Sequence, residues 1–242
     1  MEYKYQGIVL GKKDVGEVDR IYTIYTLEKG KIRVLAKGVR KPNARLAGTL
    51  ETITKGEIFI AKNRGLGKIT GSIVIDNFAN IKGNLNLVTN VFFVFRIVSQ
   101  IISEEEQDDE IFLLLEKYLE LSNSLNRDEK LQEILTVGLL FKIMDRLGYG
   151  VEVNRCVNCE KKLVLEKNYL SISRGGILCS DCHANEPNRT AISNEMIKLI
   201  RIFSKNKLEN LTKLKTEDRD VQKLKGIAKE IISWFSDGSF RV

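Results

Sequence analysis

Residues 20–37, RIYTIYTLEKGKIRVLAK, place two short runs of β-branched and aromatic residues on either side of a break at Gly30. Such residues favour the pleated, half-buried surface of a sheet, and glycine is a common breaker between strands. The texture extends both ways along the chain. Strands are predicted over residues 3–12, 20–27, 31–37, 57–62 and 68–75, separated by Gly16, Gly30, Gly38, Gly56 and the glycines of 65–67. Five strands of this length suit a small barrel. An OB-fold has that count and size, with a strand face on which nucleic acid can lie; spacing alone does not separate it from an SH3-like barrel.

From Asn84 the period changes. No proline occurs between Pro42 and Pro187, and apolar residues gather in long stretches. Helices are predicted over 84–102, 109–123 and 129–147; in the third, Leu131, Ile134, Leu135, Gly138, Leu139, Lys142, Ile143 and Leu147 trace a mostly apolar stripe. Gly148 stands where a left-handed C-cap belongs. The acidic run from Glu104 to Glu110 is read as a connection whose charges favour the next helix N-terminus. Further on, Ser193 is a candidate N-cap ahead of Met196, Ile197, Ile200 and Phe203, and a last helix spans 218–236. Its face of Leu224, Ile227, Ala228, Ile231, Ile232 and Phe235 is expected to pack back onto the middle helices. The expected class is therefore α+β, with a small N-terminal five-stranded β-barrel over 1–80, of OB-fold or SH3-like type, and an α-helical domain over 81–242. A zinc finger built on four cysteines is inserted in the latter at 152–186.

Charge is unevenly distributed. The formal net charge is +7, and residues 1–80, with fifteen Lys or Arg against eight acids, account for all of it. Between Glu28 and Glu51 stand Lys29, Lys31, Arg33, Lys37, Arg40, Lys41 and Arg45 with no acid among them. This is the footprint of a polyanion-binding face. Lys31, Arg33, Lys37, Arg40, Lys41 and Arg45 are the candidate DNA contacts. Arg33 and Lys37 are spaced to share a strand face, and the last three follow that strand. Tyr3, Tyr5, Tyr22, Tyr25 and Phe59 lie among the cations as candidate base-stacking groups.

All four cysteines fall in two C-x-x-C pairs, Cys156 with Cys159 and Cys179 with Cys182, with nineteen residues between the pairs. Two such knuckles brought together by a hairpin can surround one tetrahedral ion, and Gly175 and Gly176 permit the turns required. Four thiolates would saturate zinc and leave no position for water, so the cofactor is expected to be structural. His183, the one histidine, adjoins Cys182 and is an alternative ligand.

Catalytic signatures fail. Around Gly65, Gly67 and Lys68 a Walker loop would need glycine at position 62 and Ser or Thr at 69, where Lys62 and Ile69 stand. A single histidine beside a metal knuckle leaves no base for a nucleophile system. The N-terminus has neither a cationic nor a long apolar signal region, and the apolar stretch 91–102 is broken by Arg96, Ser99 and Gln100, too short to span a membrane. A non-enzymatic, cytoplasmic protein is expected. Rival readings are a zinc-ribbon transcription or translation factor and a protein-interaction adaptor that binds no DNA.

The chain resembles the bacterial RecO recombination and repair mediators over nearly its full length. The resemblance rests on Gly7-Ile-Val-Leu10, on Arg33-Val-Leu-Ala-Lys-Gly-Val-Arg-Lys41 running into Arg45-Leu-Ala-Gly48, and on Arg146-Leu-Gly-Tyr149 leading to Arg155-Cys-Val-Asn-Cys159. It continues through Gly175-Gly-Ile-Leu-Cys-Ser-Asp-Cys182. It implies an OB-fold, a helical domain with a zinc finger, binding to single- and double-stranded DNA, strand annealing in the RecF pathway, and help in loading recombinase. It also implies RecR and the acidic tail of single-strand-binding protein as partners, with no nucleotide cofactor and a place at the bacterial nucleoid. Val15 departs from the family pattern, which has an aromatic there, so that loop inherits no DNA role.

Overall fold

A computed structural model describes residues 1–62, 65–125 and 128–236. Strand β1 (Glu2–Val15) is the element on which the barrel closes. Its first half pairs antiparallel with β4 (Lys55–Ala61), its second half with β2 (Asp19–Thr26), and a bulge between Val9 and Gly11 bends it between the two partners. Bulges raise local twist and turn strands at barrel corners. With β3 (Gly30–Ala36) and β5 (Gly67–Asp76) the sheet closes in the order β1-β2-β3-β5-β4, the one parallel contact being β3 with β5. This is the five-stranded Greek-key barrel of an OB-fold.

Alternation along the strands sends Val9, Tyr22, Ile24, Ile32, Val34, Ala36, Ile58, Ile60 and Ile69 inward to one core. The long β3–β4 connection closes one end of it, with buried Val39 and Leu50 plugging the barrel beneath Leu46 and Ala47. Three successive tight turns carry this connection, from Gly38 to Lys41, Lys41 to Ala44 and Ala44 to Ala47. Lys41, Asn43 and Arg45 are exposed along these turns.

Helices α1 (Ala79–Lys82), α2 (Leu85–Ile101) and α3 (Asp109–Ser124) follow. Asn84 caps α2 by accepting from the Asn86 and Leu87 N–H groups, and Asp108 caps α3 in the same way. These helices belong with the barrel in one compact unit, 1–127. Lys55 of β4 pairs with Glu116 of α3, and Lys82 of α1 donates to Thr54.

The second unit, 128–242, is organised on α4 (Glu129–Arg146). The expected apolar stripe is wider than the sequence pattern shows: Gln132, Thr136, Val137, Leu140, Phe141 and Met144 are buried as well. A helix covered on nearly all sides is a core helix, and its sequence loses the amphipathic signal. It ends in a Schellman motif, with the Tyr149 N–H on the Met144 carbonyl at 2.8 Å and the Gly148 N–H on that of Asp145 at 3.2 Å. Gly148 takes the φ of +83° that this cap demands.

Between Leu147 and Ser193 the chain leaves the helices. β6 (Asn168–Ser171), β7 (Gly176–Leu178) and β8 (Arg189–Ile192) form an antiparallel sheet of order β7-β6-β8. Ser193 then caps α5 (Asn194–Lys205), accepting from the Met196 N–H at 3.1 Å. After the single turn α6 (Leu208–Leu211), α7 (Asp218–Phe235) returns to pack on α4. Leu224, Ile227, Ala228, Ile231 and Ile232 are buried on its face. No helix among the described residues is long and apolar enough to cross a membrane.

Candidate nucleic-acid interface and metal site

The six candidate DNA contacts do not form one face. Strand parity turns Lys31, Arg33 and Leu35 outward from the barrel, but Lys31 is then covered. It is 7% exposed, and its ammonium donates to the Ser99 carbonyl in the last turn of α2 at 2.6 Å. Burial holds this amine below its usual range, with the Glu104 carboxylate acting the other way. Lys31 therefore stands at a helix C-terminus, with its ammonium on the Ser99 carbonyl and its side chain almost wholly covered.

Arg33 is exposed and faces Glu104 at 3.4 Å. Lys37, Arg40, Lys41 and Arg45 are exposed on the β3–β4 connection. Arg40 bridges to Asp14 at 3.4 Å and to the Gly16 carbonyl, while Lys37, Lys41 and Arg45 make no ion pair among the described residues. The turns that fix this backbone thus present a group of cations with little internal neutralisation.

At the open end of the barrel lies a cleft of about 680 Å³, with Ile32, Val34 and Ile60 at its base and Tyr3 and Tyr5 on one wall. These two rings stack on each other, centroids 5.9 Å apart and 6° from parallel. Tyr22 and Tyr25, expected as stacking groups, are fully buried; the first faces the core and the second is covered, its hydroxyl donating to the Asp108 carbonyl. Phe59 is half-buried on the outer face of β4.

Lys29, Arg33 and Lys62 rim the cleft. Lys62 is not among the cations singled out by sequence; it directly follows the end of β4. The acidic connection after α2 lies here too. The Glu105 N–H donates to the Lys31 carbonyl at 2.8 Å, adding a short parallel bridge to the free part of the β3 edge. Gly30 makes this approach possible, because a Cβ there would collide with the Glu106 carbonyl. Glu105 itself has φ +61°, a conformation unfavourable for a residue with a side chain, and its carboxylate lies between Lys29 and Lys62. Lys62 and Lys29 hold the Glu105 carboxyl below its usual range, and Lys62 is raised in turn.

In the second unit the two knuckles meet. The Cys156 N–H donates to the Lys161 carbonyl and the Glu160 N–H to that of Cys156, which closes the first turn; Val157 N–H to Ile177 O ties it to β7. The second knuckle starts where β7 ends, with the Cys182 N–H on the Cys179 carbonyl at 3.2 Å. The four sulfur atoms lie within 4.8 Å of one another, and those of Cys159 and Cys179 are 3.9 Å apart. With Zn–S bonds of about 2.3 Å a tetrahedral site has edges of about 3.8 Å, so the donor set fits one such ion.

Electrostatics agree with a cation. Burial pushes the Cys156 thiol up, but the N–H groups of Cys159, Cys179 and Asn158 outweigh it and bring the thiol to about 6. At Cys182 the Asn158 amide favours the thiolate, yet desolvation and the three neighbouring sulfurs drive it to about 12. A bound cation would offset this repulsion between the sulfurs and favour the thiolate form at each of them. Arg174 supports the shell by donating to Asn158 and Glu186, each at 2.9 Å. His183 is turned away: its Nδ1 meets the Ser180 carbonyl at 2.7 Å and its ring stacks on Tyr169. Among the described residues the cluster able to hold a metal ion is the four cysteines.

Comparison with known proteins covers both units. Residues 1–78 match the family model described as Recombination protein O N terminal, and residues 83–241 match Recombination protein O C terminal. A DNA repair protein RecO of Dehalococcoides mccartyi is 33% identical over 215 residues, which is 88% of this chain and 83% of that protein. The proteins of the same name from Halalkalibacterium halodurans and Bacillus subtilis are each 28% identical, over 98% and 93% of this chain and 91% and 86% of their own lengths.

Proposed function

Since the chain belongs to the RecO family of DNA repair proteins, we propose that it is a mediator of repair and recombination in the RecF pathway that binds single- and double-stranded DNA and promotes annealing of complementary strands. The carrying observation is the β3–β4 connection, where Lys37, Arg40, Lys41 and Arg45 stand exposed on a backbone fixed by successive turns. Cations so placed neutralise phosphates on approaching strands, reduce their repulsion and let base pairing proceed; they carry no sequence readout, as annealing of arbitrary strands requires.

Cys156, Cys159, Cys179 and Cys182 hold zinc in this reading. Its chemistry is to fix the two knuckles on one centre, and with four thiolates it has no open coordination position. No nucleotide and no catalytic centre are required, and the protein works in the bacterial cytoplasm at the nucleoid. RecR and the acidic tail of single-strand-binding protein are its proposed partners, and recombinase loading the purpose of the complex.

Anisotropy of a labelled mixed-sequence single strand, followed over a range of salt with duplex and RNA competitors, tests the proposal. Binding should be salt-steep and indifferent to sequence. Replacing Lys37, Arg40, Lys41 and Arg45 together by alanine should flatten the salt slope by nearly three, at about 0.7 per lost phosphate contact on a single strand. An unchanged slope would place the interface elsewhere.

A further inference from the structure

The cleft at the open end of the barrel is lined for an extended anionic chain with flat groups, yet two of the protein's own carboxylates occupy its cations. Glu104 lies against Arg33 at 3.4 Å, and Glu105 lies against Lys29 at 3.4 Å and also against Lys62. Their backbone is held independently of those contacts. The Glu105 N–H bonds to the Lys31 carbonyl, Lys31 itself reaches the Ser99 carbonyl, and the Glu106 carbonyl rests on Gly30. The two carboxylates are about half exposed, each with 44% of its side chain open to solvent, so they can exchange their cations without dismantling the segment that carries them.

We propose that Glu104 and Glu105 are a built-in competitor for nucleic acid: in the free protein they occupy Arg33, Lys29 and Lys62, and a single strand enters the cleft by displacing them with its phosphates. This rests on the DNA-binding reading above. Carboxylate and phosphate oxygens compete for the same ammonium and guanidinium donors. The Tyr3–Tyr5 stack on the adjoining wall, with Tyr3 38% exposed, offers a face to an unpaired base and nothing comparable to a paired one. Strand binding at this cleft is therefore held below what its cations alone would give, while the connection 37–45 remains uncovered.

The test compares the full chain with Glu104→Gln/Glu105→Gln, which keeps shape and backbone anchors, and with Glu120→Gln/Glu195→Gln, which removes the same charge from exposed sites elsewhere. Each is titrated with a labelled single strand over a range of salt. An exposed ion pair shifts an equilibrium by about 1.4- to 5-fold, so loss of three pairs should tighten binding on the order of tenfold beyond the control. The salt slope should steepen, because in the parent added salt also weakens the competing ion pairs and so offsets part of the loss of phosphate binding, an offset the variant lacks. Adding Lys29→Ala, Arg33→Ala and Lys62→Ala should abolish the gain. A Glu104→Gln/Glu105→Gln protein that binds no tighter than the control overturns the competitor and leaves DNA binding intact. An equal gain for blunt duplex overturns the assignment of the cleft to an unpaired strand. No binding by any of the proteins removes the underlying DNA-binding reading and this inference with it.

Discussion

Lys31→Met separates the structural cation of β3 from those proposed to meet DNA. Methionine keeps the apolar stem of a residue that is 7% exposed and deletes the ammonium on the Ser99 carbonyl. A hydrogen bond with one charged partner contributes about 1.5–3 kcal/mol, and a cation at a helix C-terminus adds up to about 1 kcal/mol. Against this, the variant is relieved of the desolvation that already holds Lys31 below its usual range. The net loss expected is about 1–2 kcal/mol. For a unit of 127 residues this lowers Tm by roughly 4–8 °C, at about 4 °C per kcal/mol. Thermal unfolding followed by circular dichroism checks the shift, and anisotropy at several salt concentrations should give the parent slope. The pH dependence has a definite sign. Between the lowered folded-state value and the ordinary 10.5, the unfolded chain binds more protons than the folded one at this residue, so it makes stability rise with pH in that window. Lys31→Met lacks that rise. A variant as stable as the parent whose salt slope falls by about 0.7 would refute the helix-capping role and return Lys31 to the DNA.

If the four cysteines hold zinc as proposed, a strong chelator should unfold the β6–β8 module, visible as protease cleavage between residues 150 and 190, while the single-strand affinity proposed for the barrel changes less than threefold. Gly30→Ala should cost more than about 2 kcal/mol, since it combines a φ of +65° with a Cβ driven into the Glu106 carbonyl; urea unfolding measures the loss. Tyr3→Ala with Tyr5→Ala should weaken single-strand binding by about 1–3 kcal/mol per unstacked base and leave the salt slope as it was, because the rings contribute stacking and no charge.

Elements governed by short-range chemistry were legible in the sequence. The five strands, the caps at Ser193 and Gly148, and the paired cysteines each depend on residues within a few positions or on a spacing that admits one geometry. What escaped depends on contacts between distant segments. Tyr22 and Tyr25 carry the same β-forming signal as Tyr3 and Tyr5, and only barrel closure and the Asp108 carbonyl decide which pair is buried.

Charge shows most clearly why one dimension is insufficient. Residues 29–45 hold seven cations and no acid, which reads as a uniform basic face. Folding returns an acidic segment from about seventy positions downstream onto the first part of that run. Glu104 and Glu105 then neutralise Lys29 and Arg33, and Lys31 is consumed by a helix end. Among the described residues the cations of the β3–β4 connection meet one carboxylate, that of Asp14 on Arg40, while Asp19 accepts from the Gly38 N–H. A cation run therefore reports binding capacity only after subtraction of the acids that the fold brings to it. Here the subtraction leaves one group open and one held by carboxylates that a phosphate chain can replace.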